Sequence, residues 1–392
     1  MNVCMVAYSQ YFRDARIKRY VGSIEGKGGI IDVLALQEDG TKHHEQIGNC
    51  RVFYLTEKYQ GSNRLLYVWS YLNFFLKAFF KLTSLYMKNR YSAVHVHNMP
   101  NFIVFAAIVP RLLGAKVILD VHDLMTANYI AKFTGSKPSL MVQCLMFEQK
   151  IAAMFASHVL CADHMQKAYL ENECNVPKEK LTAVLNLPDE RIFCRREPTH
   201  SSNIFRLIYH GTIAKRLGID IMLEAVSKIK KEIPVQLSIY GSGDYLPEAL
   251  RLAEKLNLGE SAYFNKAFFP VEKVPEMVSG MDIGIIANRK TLATDRFMLP
   301  VKLLEYVYLG IPVVAPRLRN IQSYFDEDMI EYYDPENVDA LAECIVRLYR
   351  EPKRRESLIK QSARFYDKHS WKIQGKEYLT LISGETRTNV CS

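Results

Sequence analysis

Apolar residues recur along this chain in two alternating patterns. Short, almost continuously apolar runs occur at VCMVAYS (3–9), IIDVLAL (30–36), AVHVHN (93–98), KVILDVH (116–122), HVLCA (158–162) and LTAVLN (181–186), and stretches of helical spacing separate them. A strand covered on both faces reads as an unbroken apolar run, and intervening helices supply the crossovers that a parallel sheet needs. The polar, charged segment PDERIFCRREPTHSSN (188–203), with two prolines, marks a linker. The alternation then restarts at FRLIYHG (205–211), VQLSIYG (235–241), AYFNK (262–266), IGIIA (283–287) and IPVVAP (311–316), and two helices over 336–351 and 352–368 close it. The pattern predicts an α/β protein of two Rossmann-like parallel-sheet domains, 1–188 and 204–368, joined by a linker over 189–203. In such sheets ligands bind at the carboxyl ends of the strands.

The chain has 392 residues, a length that suits two domains, and 49% hydrophobic with 24% charged residues excludes disordered and fibrous classes. The eight cysteines form no Cys-x-x-Cys pair and no metal-ligand spacing, which fits a reducing cytosol. No cleaved signal is expected from the first strand, and the longest apolar stretch, 65–82, is interrupted by Asn73, Lys77 and Lys81, so no bilayer span is expected. The net charge of +9 is concentrated early: residues 1–200 carry 24 Lys and Arg against 17 Asp and Glu, the rest 27 against 25. Between Glu57 and Asp120 there is no acid at all, while eight residues are basic. Such a field suits an anionic partner, or simply solubility.

The strongest local signal is LPVKLLEYVYLGIPVVAP (299–316). It reads as a Pro-led helix with an apolar face at Val301, Leu304 and Tyr308, capped by Gly310 and followed by a buried strand. Lys302 and Glu305, three apart, are predicted to share the opposite, solvent-facing side. The first turn carries about half a positive charge from the helix dipole, which favours phosphate. A carboxylate there can accept both hydroxyls of a ribose, with Lys302 facing phosphate or sugar. A surface ion pair is the competing reading.

This stretch resembles the donor-site signature of the retaining glycosyltransferases of family 4, where a Lys-x-x-Glu-Tyr helix precedes Gly-x-Pro-Val-Val. The resemblance continues in order through YFRDARIKRYVGSI (11–24), AVHVHNMPNF (93–102), VILDVHDL (117–124), LNLPDERIF (185–193), LIYHGTIAKRLGIDIMLEAV (207–226) and HSWKIQGKEYL (369–379). It implies the GT-B fold, with the two domains facing across a cleft and a helix over 369–384 returning to the first domain. It also implies a nucleotide diphosphate sugar as donor substrate, no separate cofactor, and Glu305 as the donor-ribose ligand. Two departures stand out. Where the family commonly has a second Glu, eight residues before Glu305, this chain has Phe297, with Asp295 nearby. Where the family often has Arg after the Gly of the first second-domain strand, Gly211 is followed by Thr212, which leaves Lys215 and Arg216 to hold the diphosphate.

Gly241 and Gly243 follow a strand and open a helix, which fits either a tight turn or a loop lining the nucleotide pocket. Asn288 and Arg289 lie at the carboxyl end of a strand, as donor contacts or as an exposed turn. In the first domain, the resemblance implies that His122 is the acceptor-side catalytic histidine, with Asp123 beside it. His95 and His97 point to one face of a strand; His97, nearer the end, is the cleft candidate, and His95 is expected to pack under a helix. Arg13, Asp14 and Arg16, after the first strand, suit an anionic acceptor or the donor phosphates. Asp326-Glu327-Asp328 reads as a solvated acidic turn, so no metal is expected, and the leaving diphosphate would be neutralised by Lys215, Arg216 and helix N-termini.

The stretch 65–91 combines Tyr67, Trp69, Tyr71, Phe74, Phe75, Phe79 and Phe80 with Lys77, Lys81, Lys88 and Arg90. As a helix it has more apolar surface than one core-facing stripe can use, so contact with an anionic membrane surface is expected, at the cytoplasmic face. Nucleic acid is not expected as a partner. The activity implied is transfer of a sugar to an acceptor hydroxyl, with retention, on a glycan or lipid-linked acceptor. An epimerase of the same fold and a catalytically silent scaffold are the alternatives.

Overall fold

Two parallel sheets organise the chain, one in each of two units. In this computed structural model the described residues are 1–38, 43–59, 61, 63–133, 140–195, 203–267 and 270–383. The first unit comprises Met1–Asn186 with the segment from Lys372 onward, and the second Leu187–Trp371. Of the linker expected over 189–203, residues 196–202 lie outside the described residues.

The first unit holds β1 (Val3–Gln10), β2 (Ile31–Gln37), β3 (His44–Ile47), β4 (Cys50–Glu57), β5 (Ala93–His97), β6 (Lys116–Val121), β7 (His158–Cys161) and β8 (Leu181–Ala183), in the order β3-β4-β2-β1-β5-β6-β7-β8. All neighbours pair in parallel except β3 with β4, an antiparallel edge hairpin that the pattern did not predict. The reason is visible in β4, whose residues alternate between buried and partly exposed, so it lacks the continuous apolar run of a strand buried on both faces. Register aligns Ala7 with His97, and His97 with Asp120, which sets the site-forming residues in one row.

Helix α1 (Ala15–Glu25) starts at Asp14, whose side chain accepts from the backbone N–H groups of Arg16 and Ile17. Helix α2 (Arg64–Asn89) is capped by Asn63 and ends at Arg90, which takes a left-handed conformation with φ 48°. Its buried stripe is Phe74, Ala78, Leu82 and Tyr86, one residue per turn, whereas Leu65 is 80%, Trp69 58% and Phe80 68% exposed. One core-facing stripe thus leaves Tyr67, Trp69 and Phe80 exposed. The helix Trp371–Ser383 belongs to the first unit: Tyr378 is fully buried, the Leu185 N–H donates to the Gln374 side chain at 2.8 Å, and Lys116 Nζ donates to the Leu381 carbonyl at 3.2 Å.

The second unit holds β9 (Phe205–His210), β10 (Val235–Tyr240), β11 (Ala262–Asn265), β12 (Ile283–Ile285), β13 (Val313–Pro316) and β14 (Glu331–Tyr333), ordered β11-β10-β9-β12-β13-β14, with every pair parallel. Its core packs Leu207, Met222, Val226, Leu237, Ile283 and Ile345 from the sheet and flanking helices. Each such side chain contributes roughly 1.5–3 kcal/mol on burial. The short β14 went unpredicted because it contains the charge of Glu331. That carboxylate is buried and held by Arg347 at 2.7 Å and Arg354 at 2.6 Å, the pairing a buried charge requires.

Among the described residues no helix is long and apolar enough to cross a membrane. The seven described cysteines are free.

Candidate functional site

In the second unit the helix Val301–Leu309 begins after Pro300 and ends at Gly310, whose φ of 76° suits glycine. Its predicted faces need correcting. Leu303, Leu304, Glu305, Tyr306 and Val307 are all buried, whereas Val301 is exposed. The helix is covered on more than one side: the Tyr306 ring lies so close to Gly284 of β12 that a Cβ there would collide with it, and Tyr366 donates its O–H to the Leu304 carbonyl at 2.7 Å. Glu305 is therefore not on a solvent-facing side but only 7% exposed. It does not point into apolar packing, because its Oε2 lies 2.7 Å from His210 Nε2, at the carboxyl end of β9. The other nitrogen of His210 lies 2.9 Å from the Tyr306 hydroxyl, so one imidazole joins two consecutive helix residues.

Lys302 sits one turn earlier. Its amine lies 3.7 Å from the centre of the Tyr209 ring and faces Gly211, where an added Cβ would stand 3.5 Å from Nζ. Burial strips the ammonium of water, the pull of Glu305 only partly offsets this, and Arg216 adds repulsion, so the amine is drawn down to about 7. Gly211, Gly241 and Gly243 let two loops run backbone against backbone beside it. Gly241 has φ 140° and a Cβ there would collide with the Gly211 carbonyl; one at Gly243 would collide with that of Ile213. The contact is fixed by the Gly211 N–H donating to Tyr240 at 2.9 Å and the Ile213 N–H to Ser242 at 2.8 Å. Thr212, Lys215 and Arg216 are exposed beside this seam. Gly218 allows a close approach of backbone to backbone, with φ 71° and no room for a Cβ against the Ala287 carbonyl.

Other residues singled out in the sequence have different tasks. Arg289 is engaged at every nitrogen: with Asp220 and Glu336 at 2.6 Å each, and with the Lys215 carbonyl at 3.2 Å, while its N–H donates to Arg216 at 3.0 Å. It braces the Lys215–Arg216 turn. Asn288 is buried against Met298 Sδ. Phe297 is buried under the guanidinium of Arg296, and Asp295 is buried and held by the Arg319 backbone at 3.0 Å and side chain at 2.6 Å. Neither offers a second free carboxylate.

In the first unit Arg16, His97 and His122 come together around a residue the sequence reading left unused, Asp120. Arg16 is buried rather than open to an acceptor, and its guanidinium holds Asp120 through two hydrogen bonds, one of 3.0 Å to Oδ2. Nitrogens of His95, His97 and His122 lie 3.4, 3.3 and 3.3 Å from the same Oδ2. Burial opposes a charge on Asp120, but Arg16 and then His122 hold its carboxyl well below the ordinary range. His97 is drawn down to about 3, chiefly by burial and then by His95. His95 meets not a covering helix alone but the Tyr378 hydroxyl, 3.0 Å from Nδ1. Asn98 accepts from the His122 N–H at 2.8 Å and donates to the Asp123 carbonyl at 2.8 Å, and Gln166 donates to the His122 carbonyl at 3.2 Å. Arg13 is exposed in the turn before α1.

His95, His97 and Asp120 are the one described group whose donor atoms converge as a metal would require. The fit is poor, since a dication would meet the Arg16 guanidinium already seated on that carboxylate. In Asp326-Glu327-Asp328, Glu327 pairs with Arg317 and Asp328 with Arg364.

His210, Asp120 and Asn98 are thus the site residues missed. A charge inside the apolar run KVILDVH was the available signal for Asp120. His210 stands just before the glycine that ends its apolar run, and Asn98 ends its run next to Met-Pro.

The sequence matches the family model described as Glycosyl transferase 4-like domain over residues 16–186, and that of Glycosyl transferases group 1 over 204–351. It is 24% identical over 303 residues to a chitobiosyldiphosphodolichol beta-mannosyltransferase of Debaryomyces hansenii, covering 69% of this chain and 63% of that one. It is 22% identical over 252 residues to an N-acetyl-alpha-D-glucosaminyl L-malate synthase of Bacillus anthracis, covering 62% and 60%. The matches span less than two thirds of each relative's length. Among solved structures, Anabaena HepE in complex with UDP-glucose superposes with a TM-score of 0.74 at 12% identity, over 98% of this chain and 100% of that one. The chain belongs to the GT-B glycosyltransferases, with a glycosyl transferase 4-like domain followed by a group 1 domain.

Proposed function

We propose that this glycosyltransferase moves a sugar from a nucleoside diphosphate sugar to an acceptor hydroxyl, the second unit holding the donor and the first the acceptor. The observation that carries this reading is Glu305: a nearly buried carboxylate, oriented by His210 at 2.7 Å, at the carboxyl end of β9. Such a fixed acceptor pair suits the vicinal hydroxyls of a ribose. The diphosphate then falls to Lys302, Lys215, Arg216 and the backbone of the Gly211 loop, which neutralise the charge that develops as the sugar leaves, without a metal. The HepE structure binds UDP-glucose, which supports a nucleotide sugar as donor.

Retention rests on the likeness of 299–316 to the retaining signature. The two relatives are named for a beta-mannosyl and an N-acetyl-alpha-D-glucosaminyl product, so the anomer of the product is the property to measure. A lipid-linked or surface glycan acceptor is supported by the dolichol-linked acceptor in the first of those names. The uncovered face of α2 supports contact with an anionic membrane surface at the cytoplasmic side. Two of its lysines have partners within the unit, Lys77 on the Leu55 carbonyl at 3.1 Å and Lys81 over the Phe53 ring, so the contact is led by apolar side chains, with Lys88 adding charge. A catalytically silent scaffold is the second reading, favoured by Phe297 and by the engagement of Asp295.

Thermal shift with UDP-, GDP-, ADP- and CMP-sugars tests the donor site directly, because a donor that binds only the folded state raises Tm. One class of donor should stabilise the protein, and Glu305→Ala should cut its affinity at least tenfold; an unchanged affinity removes Glu305 from the site. The titration of Lys302 near 7 gives a pH signature. Above that pH the free protein has lost the proton that a bound diphosphate would restore, so binding takes one up. Nucleoside diphosphate affinity should therefore fall by up to about tenfold per pH unit between 7 and 9. Calorimetry on Lys302→Met should show that slope flattened, and an equal slope in both proteins contradicts the assignment. Flotation with phosphatidylserine vesicles should carry the protein, and Trp69→Ser with Phe80→Ser should reduce the floated fraction severalfold; no protein in the lipid layer at low salt ends the membrane proposal.

A further inference from the structure

The first two turns of α2 differ from the rest of the helix. Leu65, Leu66, Tyr67, Val68 and Trp69 follow one another and are all exposed, from 40% at Tyr67 to 80% at Leu65. Successive residues of a helix stand about 100° apart, so five in a row encircle it. Further along, one side is packed through Phe74, Ala78 and Leu82. The polar groups of these first turns are engaged within the protein. The Asn63 side chain accepts from the N–H groups of Leu65 and Leu66 at 2.9 and 3.4 Å, and its carbonyl from that of Tyr67 at 3.0 Å. Ser70 donates its O–H to the Tyr67 carbonyl at 2.7 Å, and the Tyr71 hydroxyl donates to that of Tyr67 at 3.2 Å.

Resting on the proposed contact of α2 with an anionic membrane surface, we propose that residues 65–72 are an insertion tip, which enters the hydrocarbon of one leaflet end-on instead of lying flat among the headgroups. A flat surface, whether a lipid interface or a second protein, covers one side of a helix. A turn that is apolar and open on every side needs an apolar medium all round it. Entry into hydrocarbon also requires polar groups to be satisfied internally, and the Asn63 cap with the Ser70 and Tyr71 bonds does this for the groups they engage. The tip rises roughly 10 Å along its axis, within one ~15 Å half of a bilayer's hydrocarbon core. Charge fits an anionic leaflet: Lys58, just before the tip, is exposed, and the chain has no acid from there until Asp120. The fold also sets the direction of entry. The Tyr8 hydroxyl lies 2.9 Å from Ser70 Oγ, and its ring 4.5 Å from that of Tyr71. Tyr8 follows Ala7, which is level with His97, and α2 runs from the end of β4 back to the start of β5. Leu65 to Trp69 therefore project past the carboxyl ends of the strands, the end that carries Asn98 and His122. Insertion holds that end against the bilayer, where an acceptor anchored by a hydrocarbon chain presents its hydroxyl.

The chain has two tryptophans, and Trp371 is buried, so the fluorescence difference between the wild type and Trp69→Phe reports the tip alone. With phosphatidylserine vesicles containing phosphatidylcholine brominated in mid-chain, the Trp69 signal should shift to the blue and be quenched at least twofold. A tryptophan placed about 27 Å further along the helix axis, by Met87→Trp in the Trp69→Phe protein, should be quenched at most a quarter as strongly. Val68→Asp, at an exposed position, should leave Tm unchanged and abolish the quenching. Equal quenching at positions 69 and 87 overturns the insertion tip in favour of a helix lying flat. So does a protein that floats with the vesicles while Trp69 stays unquenched, or one whose quenching survives Val68→Asp. Trp69 emission that moves to the blue with protein concentration in the absence of lipid overturns it in favour of a second copy. Failure to float at all removes the membrane contact on which the tip rests, and is thereby distinct from a protein that floats without inserting.

Discussion

A carboxylate almost closed off from water needs a partner, and in the second unit the pairing of Glu305 with His210 meets that need. The pair fixes the position of everything around it. His210 ends β9, so its imidazole is set by the sheet; through its other nitrogen it meets Tyr306, which is buried against Gly284 of β12. The helix that carries Glu305 is therefore pinned to two strands by one histidine and one tyrosine. Lys302, a turn away, then has no choice but to lie over Tyr209 beside Gly211, and its low proton affinity follows from that burial.

The first unit uses the same device with the roles reversed. There the buried carboxylate, Asp120, is the internal member, and the imidazole of His122 is the one that reaches the surface. Arg16 and Asp120 neutralise each other inside the sheet–helix layer, which allows three imidazoles to crowd one oxygen without uncompensated charge. Tyr378 brings the helix that follows the second unit into this network, and the ring of Tyr20 lies 4.3 Å from it. Both candidate sites are thus rigid by construction: each consists of side chains at strand ends, locked by partners from helices packed on the same sheet.

Most of the architecture was legible in the sequence because strands buried on both faces announce themselves as continuous apolar runs. The two places where the pattern failed have the same cause. Strand β4 alternates, being covered more on one face, and β14 carries Glu331, whose charge is compensated by two arginines distant in sequence. The sites were legible as positions but not as partnerships. Glu305, Lys302 and His122 stand out by motif, yet the spacing of Lys302 and Glu305 placed them on open surface, because one helix taken alone cannot reveal that it is covered on more than one side. Arg16 and Arg289 look free in sequence; their acids, Asp120 and Asp220, are 104 and 69 residues away. Only the fold brings such pairs together, and it turns two apparent ligand-binding cations into supports.

In the proposed function the orientation of Glu305 by His210 serves a ribose. A crystal structure of the protein soaked with the nucleoside diphosphate that stabilises it most would test this directly. Both ribose hydroxyls should lie within hydrogen-bond distance of the Glu305 carboxylate, with the diphosphate over the Gly211 loop. A nucleotide bound elsewhere, or a ribose that turns away from Glu305, would contradict it.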